Sequence, residues 1–362
     1  MIRRVFISVV ISIICCSGIA TASCWDPSYT YQAAIGISTG SAISSSYSLH
    51  INLDLDDLFA QGKVRPDFED VRIVYFDGVS YIDLDRHIRQ ASSGYDIWFP
   101  IQTAKGANDT SSGEYFVYYG NSSAIDAPKN YNNIYLFYDD FNGSSIGSQW
   151  YGNTSYYSVS NGMLVIPAYN GTGNIMYTDS FQKNSVREYA VKVSNLYGRG
   201  QLYIHSLGSY SANNDWGNGN RIIHDLDGGS PSTQTVRMDS NMSYYWTHST
   251  TQFQIFQDVI YGNTQTFYAG DSYSDLTLKA TAPTTNSNPY GTFKINSVWT
   301  KQTWYMDYVL IRENVEIAPT MFYGLEFEAT VIPEPLSIAC LLISLTGFML
   351  NKKKRKYNVT EQ

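Results

Sequence analysis

The sequence contains little cysteine and little charge. Of its four cysteines, Cys15 and Cys16 lie in the first apolar stretch and Cys340 in the last, which leaves Cys24 for the rest of the chain. A single cysteine forms no internal disulfide, so the body must be stabilised by core packing. Charged residues make up only 15% of the 362 residues, against the usual quarter. This composition is atypical of intracellular helical proteins, which are richer in Lys and Glu.

Turn formers and aromatic residues take the place of the missing charge. The chain has 31 Tyr and 27 Gly, and such a mixture favours short strands joined by turns. Alternating segments such as YSLHINLDL (47–55) and DVRIVYFDG (70–78), and an Asn161-Gly162 hairpin, recur without long helices. Two segments, 54–63 and 84–90, are predicted to be briefly helical. We predict an all-β protein with two antiparallel, jelly-roll-like β-sandwich domains.

The body of the chain is more acidic than the net charge of −8 indicates. Seven of the 24 basic residues lie near the two ends, but only two of the 32 acidic residues do, Glu334 and Glu361. An acidic surface repels nucleic acid and anionic lipid, so no nucleic-acid partner is expected.

The N-terminus has the three parts of a secretory signal. Arg3 and Arg4 precede the apolar stretch VFISVVISIICC, and Ala20-Thr21-Ala22 is a small-x-small cleavage site. We predict a helical signal peptide over residues 1–22, removed by signal peptidase. An uncleaved anchor is the alternative. Cys24 follows the site, so lipidation is a second alternative, although Thr21 stands where a lipoprotein signal prefers an aliphatic residue.

The C-terminus combines three features in a fixed order. A triplet of Pro333, Glu334 and Pro335 precedes 15 residues of mainly apolar sequence and then a basic tail, Lys352, Lys353, Lys354, Arg355 and Lys356. At ~1.5 Å per residue the apolar part reaches about 22 Å, short of a ~30 Å hydrocarbon core. We predict a short transmembrane helix with its basic end in the cytoplasm. A permanent single-pass anchor is the alternative.

This order of features resembles the PEP-CTERM sorting signal. The resemblance implies processing by an exosortase in the inner membrane of a bacterium that makes exopolysaccharide. It therefore predicts an exported protein, anchored in the membrane during sorting and then placed at the cell surface or outside the cell.

Two further blocks resemble known domains. The Asp70-Val71-Arg72-Ile73 strand, the region of Trp98 and the ending at residues 118–121 resemble an uncharacterised domain family of secreted prokaryotic proteins. The segments YDDFNGSSIGSQW and YSVSNGMLVI, with YMDYVLIREN near the end, resemble a concanavalin A-like lectin/glucanase domain. The expected order is a signal peptide (1–22), the uncharacterised β-domain (23–126), the concanavalin A-like sandwich (127–330) and the sorting segment (331–357).

Catalytic motifs are missing from the sequence. Jelly-roll glucanases carry a Glu-x-Asp-x-x-Glu strand, whose alternation places carboxylates on one face. The nearest matches, at 67–70, at Glu326 and Glu328, and at Asp225 and Asp227, lack its third member or its Glu. Surface carboxylates explain them better. The five histidines form no zinc motif, and neither a nucleophile elbow nor a phosphate loop is present.

Two clusters are candidates for binding. Trp216, Tyr244, Tyr245 and Trp246 lie near turns with Asn and Asp neighbours, as a sugar-stacking platform does. Asp215, Asp225 and Asp227 lie in Gly-rich segments whose oxygens suit calcium. Ordinary strand packing and turn formation explain the same residues, so both interpretations stay open.

The sequence therefore predicts an exported cell-surface or extracellular-matrix protein that binds polysaccharide and is not an enzyme. Its partners would be exosortase, signal peptidase and a polysaccharide, with no certain cofactor. The alternatives are a divergent glycoside hydrolase or lyase on a jelly-roll fold, and a structural adhesin without a sugar ligand.

Overall fold

A computed structural model describes residues 24–168, 175–196, 200–205, 221–226, 234–238, 242–284, 289–298 and 301–328. The predicted signal peptide, the triplet Pro333-Glu334-Pro335 and the basic tail lie outside these residues, as do Trp216, Asp215 and Asp227. Within the described ranges, neither helical segment combines the length and the apolar composition needed to cross a bilayer.

The described chain is built almost entirely of strands. The first seven are β1 (Tyr31–Ser38), β2 (Ser48–Leu53), β3 (Arg72–Phe76), β4 (Tyr81–Leu84), β5 (His87–Gln90), β6 (Tyr95–Pro100) and β7 (Thr110–Tyr119). The next ten are β8 (Phe137–Asp139), β9 (Tyr151–Gly152), β10 (Ser158–Val159), β11 (Leu164–Ile166), β12 (Ile175–Gln182), β13 (Ser185–Val193), β14 (Gly200–His205), β15 (Arg221–Leu226), β16 (Gln234–Met238) and β17 (Met242–Tyr245).

The remaining strands are β18 (Gln254–Tyr261), β19 (Thr264–Gly270), β20 (Thr277–Pro283), β21 (Tyr290–Val298), β22 (Trp304–Glu313), β23 (Thr320–Tyr323) and β24 (Phe327–Glu328). The described residues form two short helices, α1 (Leu55–Ala60) and α2 (Tyr131–Ile134), and 3-10 turns at Thr154–Tyr156 and Tyr273–Asp275. The Asp54 side chain caps α1 by accepting a hydrogen bond from the backbone N–H of Asp57.

The N-terminal sandwich packs a six-stranded sheet against a three-stranded one. The larger sheet has the order β23-β1-β7-β3-β4, with β24 also paired to β1, and the smaller has the order β2-β6-β5. Alternate residues of the strands point inward, so Ile35, Leu49, Ile73, Phe99 and Val117 share one buried core.

The second sandwich packs an eight-stranded sheet against a seven-stranded one. The first has the order β10-β11-β22-β13-β18-β19-β20, with β8 also paired to β22, and the second has the order β17-β16-β15-β14-β21-β12-β9. Tyr189, Phe256 and Trp304 from one sheet meet Ile204 and Phe293 from the other in a second core. The predicted all-β fold with two antiparallel sandwiches is confirmed.

The YDDFNG segment lies at the start of this sandwich, where its Asp139 accepts two hydrogen bonds. The Asp139 carboxylate accepts hydrogen bonds from Trp150 Nε1 at 2.7 Å and from the Phe141 N–H at 2.8 Å. Phe141 and Trp150 are buried and stack with ring centroids 6.0 Å apart. The Asp thus orients the Trp that closes one side of the core.

The chain returns to the first sandwich at its end. β23 pairs with β1 in the register Ile35↔Tyr323, and β24 pairs with β1 in the register Tyr31↔Glu328. The N-terminal sheet therefore contains segments from both sides of the second sandwich. The predicted domain limits stay predictions, with residues 320–328 belonging to the first sheet.

A buried ion pair joins the two sandwiches. Arg89 of β5 donates to Glu188 Oε1 of β13 at 2.5 Å, and the Arg89 guanidinium lies 3.8 Å from the ring centroid of Tyr273. Tyr308 and Gln257 donate to the same carboxylate at 2.5 and 2.7 Å. Burial alone would raise the pKa of Glu188, but Arg89 and these donors hold it below its ordinary value.

Candidate functional site

The seven-stranded sheet has one apolar and one polar face. Leu202, Ile204, Ile222, Phe293 and Ile295 point into the core of the second sandwich. Because side chains alternate along a strand, the residues between them lie on the opposite, outer face. That outer face carries the polar cluster described next.

Three basic residues occupy matching register positions in neighbouring strands of this sheet. Lys294 of β21 is in register with His205 of β14, which is in register with Arg221 of β15. We call these three positions the basic row. Adjacent strands are ~4.8 Å apart, so the row spans about 10 Å between its end backbones.

Aromatic residues extend this row toward the sheet edge. Lys294 is in register with Tyr177 of β12, and Tyr177 with Tyr151 of β9. The Tyr151 and Tyr177 rings lie 5.9 Å apart. Exposure falls along the row from 40% at Tyr151 to 6% at Lys294. The outer face is therefore exposed to solvent at the β9 edge and buried toward its middle.

A hydrogen-bonded chain lies beside the basic row. Tyr203 donates through its hydroxyl to Gln201 Oε1 at 2.7 Å, and Gln201 Nε2 donates to Asp225 Oδ2 at 3.0 Å. Tyr203 and Asp225 are only 4% and 3% exposed. Gln201 thus fixes both the Tyr hydroxyl and the carboxylate.

Asn296 adds an amide to the same face. It is in register with Tyr203 on the neighbouring strand. Its Oδ1 atom is buried and has no hydrogen-bond partner in the described part of the chain. A buried acceptor without a partner costs about 1–3 kcal/mol.

The described carboxylates of this sheet are too far apart for a two-carboxylate site. Asp225 lies on β15, whereas Asp179 lies on β12 at the other side of β14 and β21. Three strand spacings separate them by about 14 Å or more. Glycoside hydrolases that use two carboxylates hold them roughly 5–9.5 Å apart.

Of the predicted sugar-binding residues, Tyr244 and Tyr245 are described by their strand register alone. Tyr245 is in register with Thr235, in the same row as Asp225, whereas Tyr244 is in register with Val236 in the adjacent, core-facing row. Their proposed role in sugar stacking stays a prediction.

Trp246 packs against the core of the second sandwich. Its Nε1 donates to Gln254 Oε1 at 3.1 Å, and its ring meets Phe256 edge-on at 5.8 Å. The Lys279 ammonium lies 5.0 Å from the ring centroid. These contacts leave the indole partly exposed.

The predicted calcium site is only partly described. Asp225 belongs to the hydrogen-bonded chain with Gln201. In the described ranges, no three or more His, Cys, Asp or Glu side chains are placed to hold one metal ion. Calcium binding stays a prediction.

Four residues of this face were not among the site residues predicted from the sequence: Gln201, Tyr203, Lys294 and Asn296. In the segment GQLYIH (200–205), polar Gln201, Tyr203 and His205 alternate with Leu202 and Ile204. That alternation identifies a half-buried strand with a polar face. Lys294, which is in register with His205, lies some 90 residues later in the chain.

Comparison with known proteins returned similarity in structure only. No protein-family model and no curated protein matched the chain. An endo-β-1,3-glucanase from Pyrococcus furiosus is 18% identical, with a TM-score of 0.40, over 50% of this chain and 95% of that one. A laminarinase from Flavobacterium sp. UMI-01 is 15% identical, with a TM-score of 0.38, over 49% of this chain and 100% of that one.

A β-1,3-1,4-glucanase (lichenase) from a mouse hindgut metagenome is 13% identical, with a TM-score of 0.36, over 49% of this chain and 99% of that one. These structures share the concanavalin A-like sandwich. At such low identity their substrates and catalytic residues are not transferred to this chain.

The comparisons correct two predictions made from the sequence. The named neighbours are glycan-cleaving enzymes, so the prediction of a non-catalytic polysaccharide-binding protein is wrong, and so is the prediction that the chain is not an enzyme. The Glu-x-Asp-x-x-Glu strand of jelly-roll glucanases is missing from the sequence, and the absence of catalysis was predicted from that. The alternative predicted from the sequence, a glycoside hydrolase or lyase, agrees better with these neighbours.

Proposed function

We propose that the chain is a glycan-cleaving enzyme whose site is the outer face of the seven-stranded sheet, and that it cleaves acidic polysaccharides by β-elimination. The observation that carries this proposal is the basic row of Lys294, His205 and Arg221 beside the Tyr203–Gln201–Asp225 chain.

Elimination in a uronate polymer needs three kinds of group. A cation or amide must neutralise the uronate carboxylate, so that the proton on the adjacent carbon C5 becomes acidic. A base removes that proton, the electron pair forms a C4=C5 double bond, and the C4–O4 glycosidic bond breaks. An acid then protonates the leaving O4.

The outer face carries residue types for each task. Lys294 and Arg221 are the cations assigned to the uronate carboxylate, and Asn296 supplies an amide acceptor for a substrate hydroxyl. His205, between the two cations in the register, is assigned as the base. Tyr203 is assigned as the acid, with its hydroxyl held by Gln201.

Elimination agrees with the described residues better than hydrolysis does. Hydrolysis through paired carboxylates needs a second acidic group within reach of Asp225, and Asp179 is about 14 Å or more away.

The test is to incubate the mature chain with acidic and neutral polysaccharides. Alginate, polygalacturonate and hyaluronan are the acidic panel, and laminarin and lichenan the neutral one. We expect at least one acidic polymer to yield products that absorb in the ultraviolet through the new C=C bond. Reducing ends from a neutral glucan without that absorbance would show hydrolysis and contradict the proposal, as would no cleavage of any polymer.

We also propose that the chain is exported and sorted through its C-terminal segment. The supports are the signal-like residues 1–22 and the PEP-CTERM-like order of triplet, apolar run and basic tail. Mass spectrometry of the mature protein from a host with an exosortase tests this. We expect a start near Ser23 or Cys24 and an end near Pro333. A mature chain that retains Lys352 to Lys356 would contradict sorting by cleavage, and an acylated Cys24 would show lipidation.

A further inference from the structure

A cleft in the N-terminal sandwich has the size and lining of a ligand site. It lies between the edge strand β4, the start of β2 and the end of β6, with α2 closing one side. Its volume is about 560 Å³, within the range of roughly 300–1,000 Å³ of small-molecule sites. It belongs to the other sandwich from the proposed catalytic face.

The cleft has an apolar floor and a polar rim. Leu84, Ile101, Ile134 and Tyr135 are buried and form the floor. The exposed rim consists of Ser45, Ser46, Gln102, Asn132 and Asn133. This arrangement matches a small-molecule site, in which a few polar groups orient a ligand over apolar surface.

The charges of the lining exclude an anionic ligand. Among the described residues that line the cleft, none is Lys, Arg or His. Both oxygens of Asp85 have partners, since they accept from the Asn130 N–H and from Asn133 Nδ2 at 2.6 and 2.8 Å. Asp83 Oδ2 accepts from Arg72 at 2.9 Å, whereas Asp83 Oδ1 is buried and has no hydrogen-bond partner among the described residues. Asp85 thereby holds the Asn133 amide in place at the rim.

The remaining polar groups both donate and accept hydrogen bonds. The hydroxyls and amides of the rim have both donor and acceptor atoms. Among the described strands β4 pairs only with β3, so its other edge offers main-chain N–H and C=O groups. A ligand that matches them is uncharged and carries many groups that also donate and accept. Hydroxyls on a sugar ring meet this requirement.

An extended peptide fits the cleft less well. The cleft follows β4 only from Ile82 to Asp85, about 13 Å at ~3.3 Å per residue. In an antiparallel pair only alternate residues exchange hydrogen bonds, so few main-chain bonds would form. We propose that this cleft binds a neutral saccharide unit, as a second glycan site distant in the chain from the basic row.

Calorimetric titration with neutral disaccharides tests this inference. The probes are cellobiose, laminaribiose and maltose, added to the full mature chain. We expect at least one to bind saturably, and Gln102→Leu together with Asn133→Leu to weaken that binding at least tenfold. Ser45→Trp, which fills the cleft from its exposed rim, should abolish it.

The matched control is Ser92→Trp, an exposed serine in the β5–β6 turn that does not line the cleft. It should bind the disaccharide as the unaltered chain does. Binding that survives Ser45→Trp, or no binding of any disaccharide, would overturn the inference, and preferential binding of an extended peptide to β4 would replace it. Cleavage of acidic polymers by the Ser45→Trp chain is assayed in parallel. This activity should be unaffected, because the proposed catalytic face lies in the other sandwich. The saccharide site and the proposed catalytic activity are therefore tested independently.

Discussion

At the scale of single residues, Asp70 joins three parts of the N-terminal sandwich. Its carboxylate is buried and accepts hydrogen bonds from the Arg65 N–H at 3.0 Å and from the Gly120 N–H at 3.1 Å. Gly120 has a φ of 86°, a conformation that favours glycine. One side chain, Asp70, therefore links the Asp-x-Arg strand to the Tyr-Tyr-Gly ending. These two motifs carry the family resemblance, and in this structure they stabilise the fold.

The polar face of the second sandwich could be predicted only in part. Alternation in GQLYIH predicts which residues of β14 share a face, because the strand period is two. Lys294 and Asn296 join that face through the pairing of β21 with β14. Such long-range pairing depends on the topology of the whole sheet, so local sequence cannot specify it.

Two buried histidines predict a loss of stability in acid. Burial lowers the pKa of His248 from 6.5 to about 3 and that of His224 well below its ordinary value. The unfolded chain takes up these protons near pH 6.5, so the contribution of the two histidines to the free energy of unfolding is constant above that pH and falls as the pH drops toward 3. Each such group contributes about 1.4 kcal/mol per pH unit in that window.

The measurement is urea unfolding of the unaltered chain and of His248→Gln from pH 8 to pH 4. We expect the variant to lose less stability between pH 6 and pH 4, by roughly one group's contribution. Equal slopes for the two chains would contradict a neutral buried His248. Above pH 7 the two slopes should agree, which serves as the internal control.

At the scale of elements, strand patterns were predicted more reliably than short helices. The Asn161-Gly162 turn is confirmed between β10 and β11, and both residues have positive φ, as a type I′ turn requires. The helix predicted within 54–63 is confirmed as α1. The helix predicted over 84–90 is wrong, because His87–Gln90 forms β5 and pairs with β6. Tertiary pairing overrides weak local propensity in such short segments.

At Gly36, strand β23 packs so closely against β1 that a larger side chain should not fit. It is in register with Phe322, and a Cβ atom at Gly36 would lie 2.0 Å from the Phe322 ring. Gly36→Ala should destabilise the chain by about 1–3 kcal/mol through overpacking. Phe322→Ala in the same chain should recover most of that loss, measured by urea unfolding. A double variant as unstable as Gly36→Ala alone would show that the ring is not the cause.

Arg89 and Glu188 form an ion pair between β5 and β13. We therefore expect substitutions of these two residues to have strongly coupled effects on the free energy of unfolding. Arg89 and Glu188 side chains are 9% and 1% exposed. Arg89→Met should cost about 3–5 kcal/mol of unfolding free energy, because it leaves a buried carboxylate without its cation. Arg89→Met combined with Glu188→Gln should cost much less than the sum of the two single changes. Additive costs in this double-mutant cycle would contradict a direct pair.

At the scale of the whole molecule, we predict that the two sandwiches unfold together. The β23 and β24 strands return to β1 after the second sandwich, and Arg89 and Glu188 join the two bodies. A calorimetric scan of the mature chain should show one transition, with a calorimetric enthalpy close to the van't Hoff value. Two well-separated transitions would contradict this prediction.

The pairing of β23 and β24 with β1 is also the part of the architecture that could not be predicted from the sequence. Residues 320–328 follow the last strand of the second sandwich directly, and their composition resembles that of any edge strand. Only the register with Tyr31 and Ile35 places them in the first sheet. By contrast, the all-β class followed from composition and turn spacing, which are properties of the whole chain.

The central claim is that the outer face of the seven-stranded sheet performs elimination, and the rate of unsaturated-product formation tests it most directly. The rate is measured on the acidic polymer that the unaltered chain cleaves, with Tyr203→Phe and Lys294→Met as variants. Tyr261→Phe and Lys192→Met, on the eight-stranded sheet, are the matched controls. The account predicts a loss of about 10²-fold or more for Tyr203→Phe, at least tenfold for Lys294→Met, and little change in either control. Rates for Tyr203→Phe and Lys294→Met that equal those of the controls would contradict it.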